Sequence, residues 1–346
     1  MPSKIMAEAN AYKAMLNKTL SDGKVTKAEA DAILKDAHAG GYTEVKGLYL
    51  VGFLDRHADK FAPAAKTEIE GFVTKELDHT AKIEGEPQGP QKPGEPGITL
   101  SDKRAGGVTY KQADGVFSVG GVSPNDPLQG QLGDCYLISS LAAVAQKHPE
   151  LLEKNVKTNR DGSYTVTLFT RPDLTKPAKP VQVNVDGQFP TKNGSLEYIS
   201  AREKKELWPL IYEKAYAQLK GSYGNIEGGM GANALTAITG SNPSFFAVSS
   251  DAMKPDDVWN KLTDATKGGG CVVADSKSFG SPVKGMVSDH TYTVLGTSEE
   301  NGQKFVTVRN PWGEHEVGSD GKDDGVFKLT AEQFTQAFAM VEYVRP

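Results

Sequence analysis

At 346 residues, 38% of them hydrophobic and 24% charged, the chain is long enough to bury a large core and to carry an accessory module. A net charge of −5 and a pI near 5.8 argue against nucleic acid as a partner, since no basic excess is available to track phosphates. Two cysteines, Cys135 and Cys271, without a CxxC spacing exclude a disulfide framework and a zinc or dithiol redox motif, and leave free thiols.

The N-terminal stretch MPSKIMAEANAYKAMLNK alternates charged and apolar residues and lacks the unbroken apolar core of a secretory signal. No later stretch approaches the roughly 18 apolar residues of a membrane span. The expectation is a chain with no membrane partner, cytoplasmic or exported by a route that reads no such signal. Residues 1–84 show helical periodicity over 4–18, 43–61 and 64–77 and in VTKAEADAILKDAHAGG, which predicts an all-α module of about four helices. Thr26 is placed to cap the last of these, with Glu29 as its capping-box partner and Gly40 as its stop. SDGKVTKAE resembles the second half of an EF-hand loop, but Lys18 and Leu20 stand where the first two oxygen ligands belong, so a capped turn is read there.

Residues 85–97, GEPQGPQKPGEPG, place Pro87, Pro90, Pro93 and Pro96 at every third position. That is the repeat of polyproline II, and it predicts a semi-rigid linker of roughly 40 Å. Beyond it, residues 98–346 change texture. Residues 135–148 read as a buried helix stopped by Pro149, SYTVTLFT and VQVNVDG as strands, and 207–220 as a helix. From about 270, GCVVAD, HTYTVLGT, KFVTVRN and DGVFKL are short β-branched strands separated by Gly, Asn and Asp turns. A helical lobe over about 98–228 followed by a β-rich lobe over about 229–346, without βαβ alternation, predicts an α+β fold.

Cys135 stands at the start of the first of these helices, in DPLQGQLGDCYLISSLAAV. With Asp134 as N-cap, the helix N-terminus is expected to lower the thiol pKa. A cysteine nucleophile also needs a base and an orienting group. His290 opens one predicted strand and Asn310 ends the next, so antiparallel pairing could bring them together. From the residues alone, a nucleophile and a buried structural cysteine are equal readings. Cys271, opening a strand in GGGCVVAD, reads as a buried small hydrophobe.

The segments QGQLGDCYLISSLAAV, VKGMVSDHTYTVLG and VRNPWGEHE resemble the cysteine, histidine and asparagine signatures of the calpain-type, papain-like cysteine proteases. VDGQFPTKNGSLEY, ELWPLIYEKAYAQLKGSYGNIEGGMGANALTAITG and DGVFKLTAEQF follow further family segments in order, so the resemblance covers about residues 115–345. It implies a two-lobed papain-like core, with the cysteine helix in one lobe and the histidine and asparagine in the other. It further implies hydrolysis of peptide bonds in protein or peptide substrates through a thioester acyl-enzyme, with no organic cofactor.

Residue by residue, the resemblance makes Cys135 the nucleophile, His290 the base and Asn310 its orienting group, with Gln129 donating to the oxyanion hole. Trp312 would shield the His–Asn bond, and Gly228 and Gly229 would bare backbone along the cleft beside Met230. Tyr136, Asp289 and Met230 depart from the family's usual Trp, Gly and small polar residue. The bland readings are core for Trp312, a surface turn for Gln129 and loop punctuation for the glycines. The family's calcium sites match Val119, Gly121, Asp126 and Glu206 for the first, and Glu316 and Asp324 for the second. In the second, Val326 replaces an expected Glu and the loop is shorter. The alternatives are another Cys-His-Asn acyl-transfer enzyme, of amidase or transglutaminase type, and a non-catalytic binding scaffold. The N-terminal module is expected to engage either a partner or the protease core.

Overall fold

The computed structural model describes residues 107–170, 177–248, 253–277, 283–318 and 321–346, together with 12–38 apart from 13, 14 and 17, residue 50, and 58–77. The predicted linker and most of the predicted helices at 4–18 and 43–61 lie outside the described residues. In the N-terminal module, α1 (Lys27–His38) begins at the expected capping box: Glu29 N–H donates to Thr26 Oγ1 at 3.3 Å and Thr26 N–H to Glu29 Oε2 at 2.8 Å. α2 (Pro63–Leu77) starts on a proline, whose missing N–H costs nothing at a helix start. Asp22 caps the Lys24 amide at 3.0 Å, a turn as expected.

The first lobe is built on α3 (Cys135–Lys147), whose residues from Tyr136 to Ala145 are all buried. A helix so rich in alanine and serine lets neighbours approach on every side, and α3 lies at the junction of both lobes. Around it stand short antiparallel sheets: β1 (Thr109–Gln112), β6 (Gln188–Lys192) and β7 (Ser195–Leu196); β2 (Pro127–Gln129) with β8 (Ile199–Ala201); and β3 (Val156–Thr158), β4 (Tyr164–Thr170) and β5 (Lys179–Val185). α4 (Pro149–Lys154) follows α3, and α5 (Trp208–Lys220) closes the lobe, ending on Gly221 at φ 95°. α6 (Gly231–Thr239) adds Ala234, Leu235, Ala237 and Ile238 to the same core, so by packing the first lobe runs on to Thr239.

The second lobe is one antiparallel sheet in the order β13 (Val326–Thr330), β12 (Gln303–Arg309), β11 (Thr291–Glu300), β10 (Cys271–Ser276), β14 (Phe338–Val344), β9 (Ser244–Ala247). α7 (Pro255–Thr266) and α8 (Ala331–Ala337) cover it, the latter started by a Thr330–Gln333 capping box. β11 and β12 are joined through Asn301 and Gly302 at φ 51° and 78°, the left-handed pair that a tight hairpin turn requires. Cys271 is fully buried in the first core cluster, as expected.

Two seams hold the pieces together. Ser139 Oγ donates to Thr291 O at 2.8 Å and Thr293 Oγ1 to Ser139 O at 2.9 Å, tying α3 to β11. The apolar core of the N-terminal module, including Leu16, Ile33 and Phe72, continues into Met340 of β14, with Met230 and Phe245 packed against it. Among the described residues no helix is long and apolar enough to cross a membrane.

Candidate active site

β11 and β12 are adjacent antiparallel strands, and the residues at their shared end meet. His290 directly precedes β11 and Asn310 directly follows β12; His290 Nε2 lies 2.9 Å from Asn310 Oδ1. Asn310 is fully buried, its Nδ2 donates to His315 O at 3.3 Å and its Oδ1 also accepts from Trp312 N–H at 3.2 Å. With the amide oxygen turned to the ring, Nε2 carries the imidazole proton and Nδ1 keeps its lone pair. Trp312 leans over the pair, its ring centroid 4.7 Å from that of His290.

Cys135 opens α3, so its backbone N–H has no acceptor within the helix. Cys135 is half-buried, and Thr291, the residue after His290, works against burial in setting the thiol's pKa. Burial pushes the thiol up to about 11 and holds the His290 imidazole down at about 4, so both stand neutral near pH 7. The expectation of a lowered thiol pKa is thus overturned. Asp134 makes no side-chain cap; its carboxyl is fully buried against Glu213, and that burial pushes it up to about 8. An acid turned into the core cannot serve the helix terminus it was expected to cap.

The cysteine loop is stitched to the asparagine loop. Gln129 N–H donates to Pro311 O at 2.9 Å, and the buried Arg309 donates through Nη2 to Pro127 O at 2.8 Å and Asn125 O at 3.3 Å. The Gln129 side chain gives one amide hydrogen to Leu132 O at 2.7 Å, which fixes its plane and leaves the second hydrogen. Gly228, at φ 72°, donates its N–H to Gly133 O at 2.8 Å. Gly229 lies on the Tyr136 ring, where an added Cβ would come within 2.5 Å of Cζ. Tyr136 is anchored in turn through its hydroxyl on Ile226 O at 3.2 Å, so the tyrosine serves as a buried floor for the glycine pair. Asp289 sits at φ 52°, a left-handed conformation that suits glycine and that aspartate tolerates. Met230 precedes α6 and packs toward the N-terminal module.

Three of the four matched positions of the first calcium site, Val119, Asp126 and Glu206, meet. Glu206, nearly fully buried, accepts from Val119 N–H at 2.9 Å through Oε1, while the Asp126 carboxyl lies alongside. Burial and then the Asp126 charge push Glu206 up to about 7. Two buried carboxylates thus stand beside a loop that turns through Gly120 and Gly121, at φ 79° and 101°. Glu316 and Asp324 instead serve their own loop: Glu316 Oε1 accepts from the amides of Asp324 and Gly325 at 2.8 and 2.9 Å, and Asp324 Oδ1 from Val326 at 3.0 Å. Among the described residues no cluster of three or more His, Cys, Asp or Glu side chains is poised to hold a metal. Arg309 escaped the sequence reading, since no local spacing marks a residue whose partner is a distant backbone atom.

A family model described as "Calpain family cysteine protease" matches residues 99–324. Calpain-8 of Homo sapiens is 30% identical over 217 residues, which cover 60% of this chain and 30% of that protein. The calpain-2 catalytic subunit of Homo sapiens is 31% identical over 227 residues, covering 61% of this chain and 32% of its own. The chain thus spans about a third of the length of these relatives. Among solved structures, a digestive procathepsin L 3 from Tenebrio molitor larval midgut aligns over 91% of this chain and 96% of its own, at 14% identity and a TM-score of 0.27, too loose to bear on the fold.

Proposed function

The chain belongs to the calpain family of cysteine proteases, and from that premise we propose that it is an endopeptidase in which Cys135 attacks the scissile carbonyl and forms a thioester. The observation that carries the reading is the His290–Asn310 hydrogen bond of 2.9 Å, with the helix that Cys135 opens tied to the residue after His290 by Ser139 Oγ on Thr291 O at 2.8 Å. A neutral thiol and a neutral imidazole imply that His290 Nδ1 takes the proton as the sulfur attacks, and then returns it to the leaving amine. Asn310 keeps the ring in that tautomer and steadies the imidazolium. The Cys135 N–H and the free amide hydrogen of Gln129 are the donors for the developing oxyanion. The Gly228–Gly229 backbone lets an extended peptide pair along the cleft.

At the first site Asp126 and Glu206, with the carbonyls of Val119 and Gly121, would hold calcium, and its charge would relieve the two crowded carboxylates. Bound there, the loop before the cysteine is tied to the start of α5. The N-terminal module acts on the core rather than on a separate partner in this reading, because its apolar core closes over Met340 and against cleft-side Met230.

A mass-spectrometric digest of a peptide library, with calcium and with chelator, tests the activity. Internal peptide bonds should be cut, and Cys135→Ala should fold normally and lose at least about 10³-fold in turnover. Persistent cleavage by folded Cys135→Ala would refute the assignment, and deamidated or crosslinked products would replace it with the acyl-transfer alternative.

A further inference from the structure

We propose that Ser139 and Thr293 are positioning residues that fix the separation of the nucleophile and its base: their two hydroxyls lock α3 to β11 in one register, one helical turn from Cys135 and beside His290. This deepens and rests on the reading of Cys135 as the nucleophile.

The lock begins with a gap in the sheet. Along an antiparallel strand, successive residues turn their N–H and C=O to opposite neighbours. His290 turns its carbonyl to β10, where it accepts from Ser276 N–H at 2.9 Å, so Thr291 and Thr293 turn theirs to β12. Thr293 has its partner there, Arg309, the last residue of β12. Two residues back along β11 the facing position falls at Pro311, which has no N–H to give. Thr291 O is thus left off the ladder in a buried residue, where an unbonded carbonyl is costly. The donor it receives is the Ser139 hydroxyl, at 2.8 Å from the neighbouring lobe.

The bond is returned. Thr293 Oγ1 donates to Ser139 O at 2.9 Å, on the lone pair that a helical carbonyl keeps free. Ser139 and Thr293 are both fully buried, so neither hydroxyl can exchange its partner for bulk water. One such bond would let the helix pivot on the strand; two, running in opposite directions, fix its register. Gln146 Nε2 adds a point two turns on, 2.8 Å from Leu295 O, where the β11–β12 pairing is irregular between Val294 and Gly296. Cys135 lies four residues before Ser139 and therefore on the same face of α3, while His290 is one residue before Thr291. The proton passes from thiol to imidazole only within hydrogen-bond reach, so a slip of about 1 Å in this register falls on the chemical step. The Gly228–Gly229 backbone that would hold the peptide lies outside the clasp, and binding is left nearly as it was.

The test uses the full chain and a peptide substrate, with kcat counted per active site by titration with a peptidyl chloromethyl ketone and the melting temperature followed alongside. Ser139→Ala and the isosteric Thr293→Val should each lower kcat about tenfold, with KM held within about twofold. Thr293→Ser, which keeps the hydroxyl, should stay near the wild type. The double variant should lose less than the product of the two single losses, because neither bond alone holds the register. Unchanged kcat in folded Ser139→Ala or Thr293→Val, a loss confined to KM or to melting temperature, or a Thr293→Ser as slow as the valine variant would overturn the clasp and leave Cys135 in its role. Thr293→Val decides the matter should Ser139→Ala fail to fold. Wild-type activity that survives complete labelling of Cys135 would instead overturn the nucleophile reading, and the role of the clasp with it.

Discussion

His290 is held neutral by burial, which outweighs the Asn310 hydrogen bond that favours the charged ring, and that has a cost in acid. The imidazole titrates near 6.5 when unfolded and at about 4 in the folded chain. Between those values the unfolded chain binds the extra proton, so stability falls as the pH drops through that window, by up to about 1.4 kcal/mol per pH unit. Thermal melts of the wild type and His290→Gln from pH 7 to pH 4 should therefore converge or cross as the wild type loses this increment; parallel curves would show that the site does not hold the ring neutral. Cys135, His290 and Asn310 were legible because each sits in a distinctive local motif. Asp134 was misread for a physical reason: a cap is a local preference worth about 1 kcal/mol, and the tertiary packing that buries its carboxyl completely outweighs it.

At the scale of elements, β10 to β13 were legible from β-branched runs between Asn-Gly and Gly turns, and α3 from its small apolar residues and Pro149. The seams were not. Arg309 reads in sequence as the last residue of a strand, yet it is fully buried and donates to the carbonyls of the cysteine loop. The loop from Val119 to Asp126 meets α5 in the same way, through one Glu206 oxygen on the Val119 amide at 2.9 Å. If that junction takes calcium, isothermal calorimetry should detect binding to the wild type, and Glu206→Ala should lose most of it while the protein stays folded. Calcium should raise turnover in the wild type by favouring the conformation in which both segments are joined. Equal heats for the two proteins would place any calcium elsewhere, and full turnover in chelator would remove the switch without touching the peptidase reading.

Across the whole molecule, the division into a helical module and an α+β core follows from the proline-rich stretch and the change in periodicity. What sequence could not supply is where the module rests, because an apolar contact between distant segments leaves no pattern in either. Met340 is buried beneath the module's core, while Met230 and Phe245 are half-buried against it. Phe245 lies on edge strand β9, outside the catalytic groups, so Phe245→Glu loosens this contact without altering the chemistry. The variant should cleave peptides with a kcat/KM raised at least severalfold, chiefly through KM, and the module should become more susceptible to limited proteolysis. An unchanged kcat/KM with a demonstrably released module would mean that the contact does not govern access to the cleft.

The central claim is that Cys135 is the nucleophile, and active-site labelling tests it most directly. The full chain is treated with a peptidyl chloromethyl ketone, and intact mass, peptide mapping and residual peptidase activity are followed together. One adduct should form, on Cys135, in proportion to the loss of activity, and it should form far more slowly in His290→Ala. Cys271, fully buried, should stay unlabelled. Activity that survives stoichiometric labelling of Cys135, or that disappears with labelling of another residue, would contradict the account.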